Sequence, residues 1–249
     1  MLKTERQQAI LDYIKENHAA SVADLSKRFF ISETSIRRDL ACLERSGLIR
    51  KTYGGAVIQA GDNDVIALDA RTQIEREAKA IIARKAAEFI ENGDVIFLDS
   101  SSTSGALAPF LCRYTNLSII THGLRIACEL ADSPNLKVYS LGGLVMPHAF
   151  STNGALTCRI LGDIRANKCF ISPKAVDQNV YCGNEEEAAV RRMMMNQSQH
   201  VYLMCNLQKL NRQAAFRLCN LSEIETIIFD QQPPQQWMDM LQERGVSWV

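Results

Sequence analysis

At 249 residues the chain suits either one large domain or a small domain followed by a medium one, and its 47% apolar residues are ample for a buried core. Formal charge sums to zero, but residues 1–57 carry ten Lys/Arg against seven Asp/Glu, so only the head hints at an anionic partner. No apolar run reaches the length of a membrane span and the start, MLKTERQQAI, has no signal-peptide core, which excludes a bilayer-embedded reading and leads us to expect a cytoplasmic chain.

The head reads as three short helices. Residues 4–17 place Ile10, Leu11 and Ile14 at helical spacing behind Thr4 as an N-cap candidate. Residues 22–29 follow Ser21, a second cap candidate, and turn Val22, Leu25 and Phe29 inward. A third helix runs from Ser32, its expected cap, to Arg45, with Glu33 favourable in the first turn. LIRKTYGGAV then suits a short hairpin broken at Gly54-Gly55. Helix, helix, tight turn, helix and hairpin is the winged helix-turn-helix plan. In its third helix Ile36, Leu40 and Leu43 share one face, which leaves Ser32, Thr34, Ser35, Arg37 and Arg38 turned outward. Guanidinium groups bridge acceptors on guanine or bind phosphate, and hydroxyls do either less specifically. Lys51 and Tyr53 on the wing are candidates for the DNA backbone. The alternative is a solvated helix face with Asp39 and Glu44 as local partners of the arginines; the full spacing plus the basic wing decides for DNA.

Residues 58–73 read as a polar, acidic linker and 74–249 as a second domain. IEREAKAIIARKAAEFI is expected to be a helix with Ile74, Ala78, Ile81, Ile82 and Phe89 towards one side. Strand-like runs follow at 95–99, 117–121, 137–141, 168–172, 201–205 and 226–230, separated mostly by helical stretches near 104–112, 123–131, 155–164, 185–197 and 235–243. The fold class is therefore α/β: an N-terminal winged helix-turn-helix and a mainly parallel α/β domain covered on both faces. Such sheets bind ligands at the carboxyl ends of their strands. FLDSSSTSGAL ends a strand in Asp99 and passes through five hydroxyl residues, which suits an anion or, more simply, an N-cap. SLGGLVM has Gly142-Gly143 after its strand, and LMCNLQK ends near Lys209. The eight cysteines are scattered with no CxxC pair, so all are read as thiols; Cys112, Cys128, Cys169 and Cys205 are expected to act as small hydrophobes. No metal or other cofactor is expected.

SVADLSKRFFISETSIRRDLACLERSGLIRKTYGGA resembles the amino-terminal signature of the DeoR family of bacterial transcriptional regulators, with SETSIRRDLACLERSG in place of its recognition helix and KTYGGA in place of its wing. Ile31 stands where valine is more usual, and Lys51 and Tyr53 where arginine and histidine are common. The body resembles the family's sensor domain, which implies a sugar-phosphate-isomerase-like fold and a phosphorylated sugar or related effector. On that resemblance Ser101, Ser102, Thr103 and Ser104 would hold the phosphate, and Asp99 and Gly142-Gly143 stand where the family pattern has like residues. Asp177, Glu187 and Lys209 would surround the sugar. The departures are Ser101 for glycine, His122 for asparagine, Ser172 and Ala175 for glycines, and Asn206 for aspartate; they make the pocket less acidic. His122 reads either as a pocket residue or as a satisfied core histidine.

The resulting expectation is a transcriptional regulator, a repressor of sugar-use genes, whose head binds operator DNA as part of a homo-oligomer and whose body senses a phosphorylated sugar. Two alternatives stay open. The body could only oligomerise, or it could be a sugar-phosphate isomerase with Glu187 as general base; the EEE run that holds Glu187 is equally an acidic first turn.

Overall fold

The computed structural model describes residues 3–45, 48–58, 68–147 and 149–249. The head begins with α1 (Lys3–Asn17), so Thr4 lies inside that helix rather than capping it. A short strand, β1 (Ala19–Ser21), follows. Ser21 then caps α2 (Val22–Phe29), its hydroxyl accepting from the Asp24 N–H. α3 (Glu33–Arg45) starts after Ser32, whose hydroxyl accepts from the Ser35 N–H at 3.4 Å. The wing strands β2 (Ile49–Thr52) and β3 (Gly55–Ile58) pair antiparallel, and β1 adds to the far side of β3. That third strand is why Gly55 is glycine: a Cβ there would stand 2.1 Å from the Ala20 carbonyl oxygen. Ile10, Leu11, Ile14, Val22, Leu25, Ile36, Leu40, Leu43 and Ile49 form the core of the head. Asp39, buried, ties α3 to α1 by accepting from Arg6 Nε at 2.6 Å and Gln7 Nε2 at 2.9 Å.

The expected linker is corrected at both ends. Ile58 belongs to β3, and α4 (Leu68–Gln73) is helical; 59–67 lie outside the described residues. The chain divides into two compact units after Arg71. The next helix, α5 (Arg76–Ala87), is shorter than expected because Glu75 takes a left-handed conformation (φ 53°). Its buried face is Lys79, Ile82, Ala83, Ala86 and Ala87; Ile74, Ala78 and Ile81 are only half-buried, while Phe89, beyond the helix end, packs half-buried against the same core as expected.

The body continues through β4 (Val95–Leu98), two single-turn helices α6 (Ser102–Gly105) and α7 (Ala108–Leu111) in place of one helix at 104–112, β5 (Leu117–Thr121), α8 (Leu124–Leu130) and β6 (Leu136–Ser140). A hairpin of β7 (Leu144–Met146) and β8 (Ser151–Asn153) precedes α9 (Ala155–Gly162) and β9 (Ala166–Ile171). After β10 (Ala175–Val176), β11 (Asn179–Cys182) and α10 (Glu185–Asn196) come β12 (Ser198–Cys205), β13 (Phe216–Asn220), β14 (Thr226–Phe229), α11 (Gln235–Glu243) and β15 (Ser247–Trp248). Seven strands form one parallel sheet in the order β15-β14-β12-β9-β4-β5-β6, and β10-β11-β13 form a small antiparallel one.

Alternation along β4 divides the core. Phe97 packs with α9, α10 and α11, whereas Ile96 and Leu98 pack with α5, α7 and α8. Burying Phe97, Phe170 and Phe229 completely stabilises the sheet by about 1.5–3 kcal/mol for each ring. Cys169, Cys182, Cys205 and Cys219 are buried thiols, and burial pushes Cys205 and Cys219 up to about 12. Cys112 and Cys128, expected as small hydrophobes, are exposed instead.

Candidate functional site

In the head, α3 turns Ser32, Thr34, Arg37 and Arg38 to solvent, while Ser35 is half-buried and hydrogen-bonded to Ser32. Arg37 Nη2 pairs with Glu33 at 3.0 Å, one turn back on the same face. Arg38 has no intramolecular partner among the described residues, because Asp39 is already committed to Arg6 and Gln7. Lys51 Nζ stands 3.7 Å from Glu44, and Tyr53 is fully exposed at the tip of the wing. Among the described residues α3 thus presents one free guanidinium, a second held by a surface carboxylate and exposed hydroxyls, and the wing adds an aromatic tip. Surface pairs of this kind are worth at most about 1 kcal/mol and exchange readily for phosphate.

In the body, the parallel register brings the carboxyl ends of five neighbouring strands into one row: β12, β9, β4, β5 and β6. Asp99 ends β4 and is fully buried. Its Oδ1 accepts from the Ser101 N–H at 3.0 Å, and its Oδ2 accepts from the Ser172 N–H at 3.1 Å and from Arg191 Nε at 2.8 Å. Burial alone would raise the Asp99 carboxyl; the Arg191 guanidinium and the backbone donors bring it below its ordinary range. Arg191, on α10, also reaches Glu187 Oε2 at 3.4 Å and Cys182 Sγ at 3.1 Å. Ser172 Oγ in turn accepts from Lys209 Nζ at 2.9 Å, and burial lowers the Lys209 ammonium from its usual value.

The hydroxyl loop serves two ends. Ser101 Oγ caps α6, accepting from the Ser104 N–H at 3.0 Å and meeting Ser104 Oγ at 3.0 Å. Thr103 is buried, and Ser102 is half-exposed. His122, at the end of β5, is buried with both ring nitrogens engaged by the protein: Nε2 with the Ser100 N–H, Nδ1 with Thr152 O and Asn153 Oδ1, each at 3.1 Å. Gly142 O accepts from the Thr157 hydroxyl at 2.8 Å. Gly143 (φ 155°) is required by packing, since a Cβ would stand 2.1 Å from Thr157 Oγ1 and 2.8 Å from Asn153 O.

Asp99, Ser101, Ser104, His122, Glu187 and Lys209 therefore meet in one network, with Gly142-Gly143 at its margin. Asp177 stands apart in its bonding. It accepts from the Asn179 N–H, Tyr181 Oη and Gln213 Nε2, and no hydrogen bond among the described residues ties it to Asp99. Those donors hold its carboxyl below its ordinary range against the opposing effect of burial. Glu187 is engaged with Arg191, which leaves it poorly placed as a base.

Arg191 was not a sequence candidate. It sits in RRMMM, where it reads as the polar side of an amphipathic helix, and the one available signal was its spacing of four from Glu187. Asn153 beside His122 was likewise unassigned. Among the described residues no group of His, Cys, Asp and Glu is arranged to hold a metal, and no helix is long and apolar enough to cross a membrane.

Two family models match the chain: a DeoR-like helix-turn-helix domain over residues 6–60 and a DeoR C-terminal sensor domain over residues 74–231. The chain is similar to the HTH-type transcriptional regulator GolR of Listeria innocua serovar 6a, 30% identical over 99% of this chain and 98% of that one. It is 29% identical to the HTH-type transcriptional repressor GlcR of Bacillus subtilis strain 168, over 99% and 96% of the two chains. The glycerol-3-phosphate regulon repressor of Escherichia coli strain K12 is 27% identical over 99% and 98%. All three names are those of transcriptional regulators, which favours the regulator reading over the isomerase alternative. A helix-turn-helix with an open arginine face, joined to a parallel sheet of the sensor type and matched end to end by regulators, makes this chain a member of the DeoR family of transcriptional regulators.

Proposed function

We propose that the protein represses sugar-use genes in the cytoplasm by binding operator DNA as a homo-oligomer, and that a phosphorylated sugar in the body relieves or tunes that binding. The observation that carries the effector half is the network around Asp99. Lys209 donates to Ser172, whose N–H donates to Asp99 Oδ2, and Arg191 pairs with both Asp99 and Glu187. A preorganised network of this kind, with Ser101 and Ser104 beside it, supplies hydroxyl, backbone N–H and ammonium donors suited to a phosphate. Two relatives named as repressors support the sign of regulation. The DNA half rests on Arg37 and Arg38, with Lys51 and Tyr53 on the wing, and one such head covers too little DNA for tight binding alone, which is the reason for at least a dimer.

The test combines two measurements on the full chain. Melting temperature is followed against a panel of phosphorylated sugars, and each stabilising compound is added to a gel shift on the promoter of the protein's own gene. A compound that raises the melting temperature and releases the DNA is the expected result; Arg38→Ala should weaken operator binding by about ten-fold or more. Operator binding with no stabilising compound across the panel would leave the body with an oligomerising role only.

A further inference from the structure

We infer that Asn153, held in one orientation by His122, is the specificity determinant of the effector pocket, presenting its amide N–H groups together with the Ser151 hydroxyl to an uncharged acceptor oxygen of the bound sugar. The inference rests on the sugar-phosphate reading above and names which part of the ligand is discriminated.

The orientation follows from the hydrogen-bond partners alone. The Ser100 backbone N–H lies 3.1 Å from His122 Nε2 and can only donate, so Nε2 carries the lone pair. A neutral imidazole has one proton, which must then sit on Nδ1. Burial favours that neutral ring. The two groups 3.1 Å from Nδ1, Thr152 O and the Asn153 amide, must both present oxygen to it. Asn153 Oδ1 is thereby committed to the histidine, and its amide cannot turn over without placing N–H against N–H. What remains is Nδ2, a pure donor.

Nδ2 has no partner among the described residues. Asn153 is 1% exposed, and no described protein group satisfies that nitrogen. The Ser151 hydroxyl, fully buried, is in the same condition. The two residues are two apart on β8 and so lie on one face of the strand. Thr152 between them faces the other way and is satisfied, its hydroxyl donating to Leu141 O at 2.7 Å. One face of this strand is therefore complete and the other carries two buried, unanswered polar groups. Native proteins rarely leave such groups without a partner unless a ligand or an ordered water supplies it.

Their location selects the ligand. β8 packs against α8, α9 and α10, and α10 carries Glu187 and Arg191. His122 connects the same strand to Ser100 at the entrance of the hydroxyl loop. His122 thus ties the strand that carries the unanswered donors to the loop that follows Asp99. The cations there are already engaged, Arg191 with Asp99 and Glu187 and Lys209 with Ser172. A second anionic group on the ligand would meet the two carboxylates without a spare cation, so the matching group is a hydroxyl or carbonyl oxygen of the sugar. His122 acts through Asn153 and is a positioning residue.

The experiment titrates the full-length protein with inorganic phosphate, glycerol 3-phosphate, glucose 6-phosphate and fructose 6-phosphate. It compares the wild type with Asn153→Leu, which keeps the branched shape without any donor and leaves His122 Nδ1–H bonded to Thr152 O, and with Asn153→Asp, which replaces donors by acceptors. Operator binding without ligand reports that each variant is folded. The expected result is a loss of about ten-fold or more in affinity for the best-binding sugar phosphate in both variants, with inorganic phosphate changed by less than about two-fold. His122→Leu, which removes the donor to Asn153 Oδ1, should lose affinity in the wild-type background and add nothing to Asn153→Leu, a non-additivity that a merely structural histidine would not give. Unchanged sugar-phosphate affinity in both variants, or equal loss of phosphate and sugar phosphate, overturns the assignment. Failure of all four compounds to bind the wild type while operator is bound overturns instead the sensor reading on which it stands.

Discussion

Burying a neutral histidine ties stability to pH, and the sign can be worked out for His122. Burial lowers its pKa in the folded protein below the ordinary 6.5, with the nearby Asp99 charge acting in the opposite direction and Arg191 in the same one. Between the two values the unfolded chain takes up a proton that the native ring refuses, so stability is complete above about pH 6.5 and falls as the pH drops through it, by up to about 1.4 kcal/mol per pH unit. Asp99 behaves conversely. Its lowered pKa contributes stability above its ordinary 3.8 that is lost only as the pH falls further, which lies below the range in which His122 is tested. Denaturant unfolding at half-unit steps between pH 5 and 7.5 should therefore show a slope in the wild type that flattens in His122→Gln, whose amide can make the same two contacts in uncharged form. An identical slope in both proteins would mean that the ring titrates freely and is not held as described.

The turn between α2 and α3 sets how the recognition helix meets DNA, and it contains a conformational cost. Phe30 is the C-terminal cap of α2 in the left-handed region (φ 54°), with its N–H donated to the Ser26 carbonyl and its ring 95% exposed. An L residue there costs about 1–2 kcal/mol, whereas glycine adds about 0.5–1 kcal/mol of backbone entropy to the unfolded chain. No packing is lost with the exposed ring, so Phe30→Gly should stabilise the head by up to about 1 kcal/mol; destabilisation in thermal unfolding would show that the ring contributes more than its exposure implies. The same elements show what a sequence can convey. α2 and α3 were legible because Ser21 and Ser32 mark their starts and apolar residues repeat every three or four positions. Six of the seven parallel strands were legible because apolar runs of four or five residues alternate with helical stretches; β15, two residues long, was not. β1, β10 and β11 were not, since two to four residues carry no periodicity and their pairing depends on partners distant in the chain. Asp99 and the serines could be read from composition at a strand end. Arg191 and Asn153 could not, because an arginine and an asparagine ordinarily face water, and only the fold brings them against Asp99 and His122.

At the scale of the whole molecule, a regulator needs its DNA-binding and sensing units to be stable separately and coupled in function. The cores allow this: the head is held by Ile10, Leu25, Ile36, Leu40 and their neighbours, and the body by two clusters on either side of its parallel sheet, with no residue shared. Ile36 is fully buried at the centre of the head, on the inner face of the helix that carries Arg37 and Arg38. Ile36→Ala removes three heavy atoms from a small core that has little capacity to collapse around the cavity, at a cost of about 2–5 kcal/mol. A domain of some fifty residues has only a few kcal/mol to lose. The variant should therefore fail to bind operator while the body keeps its cooperative melting transition and its stabilisation by whichever sugar phosphate stabilises the wild type. Differential scanning calorimetry with and without ligand reads both at once. If the body's transition moves down with the head's, the two cores unfold as one unit, and the signal from ligand to DNA would have to travel by shared stability rather than by rearrangement of independently folded parts.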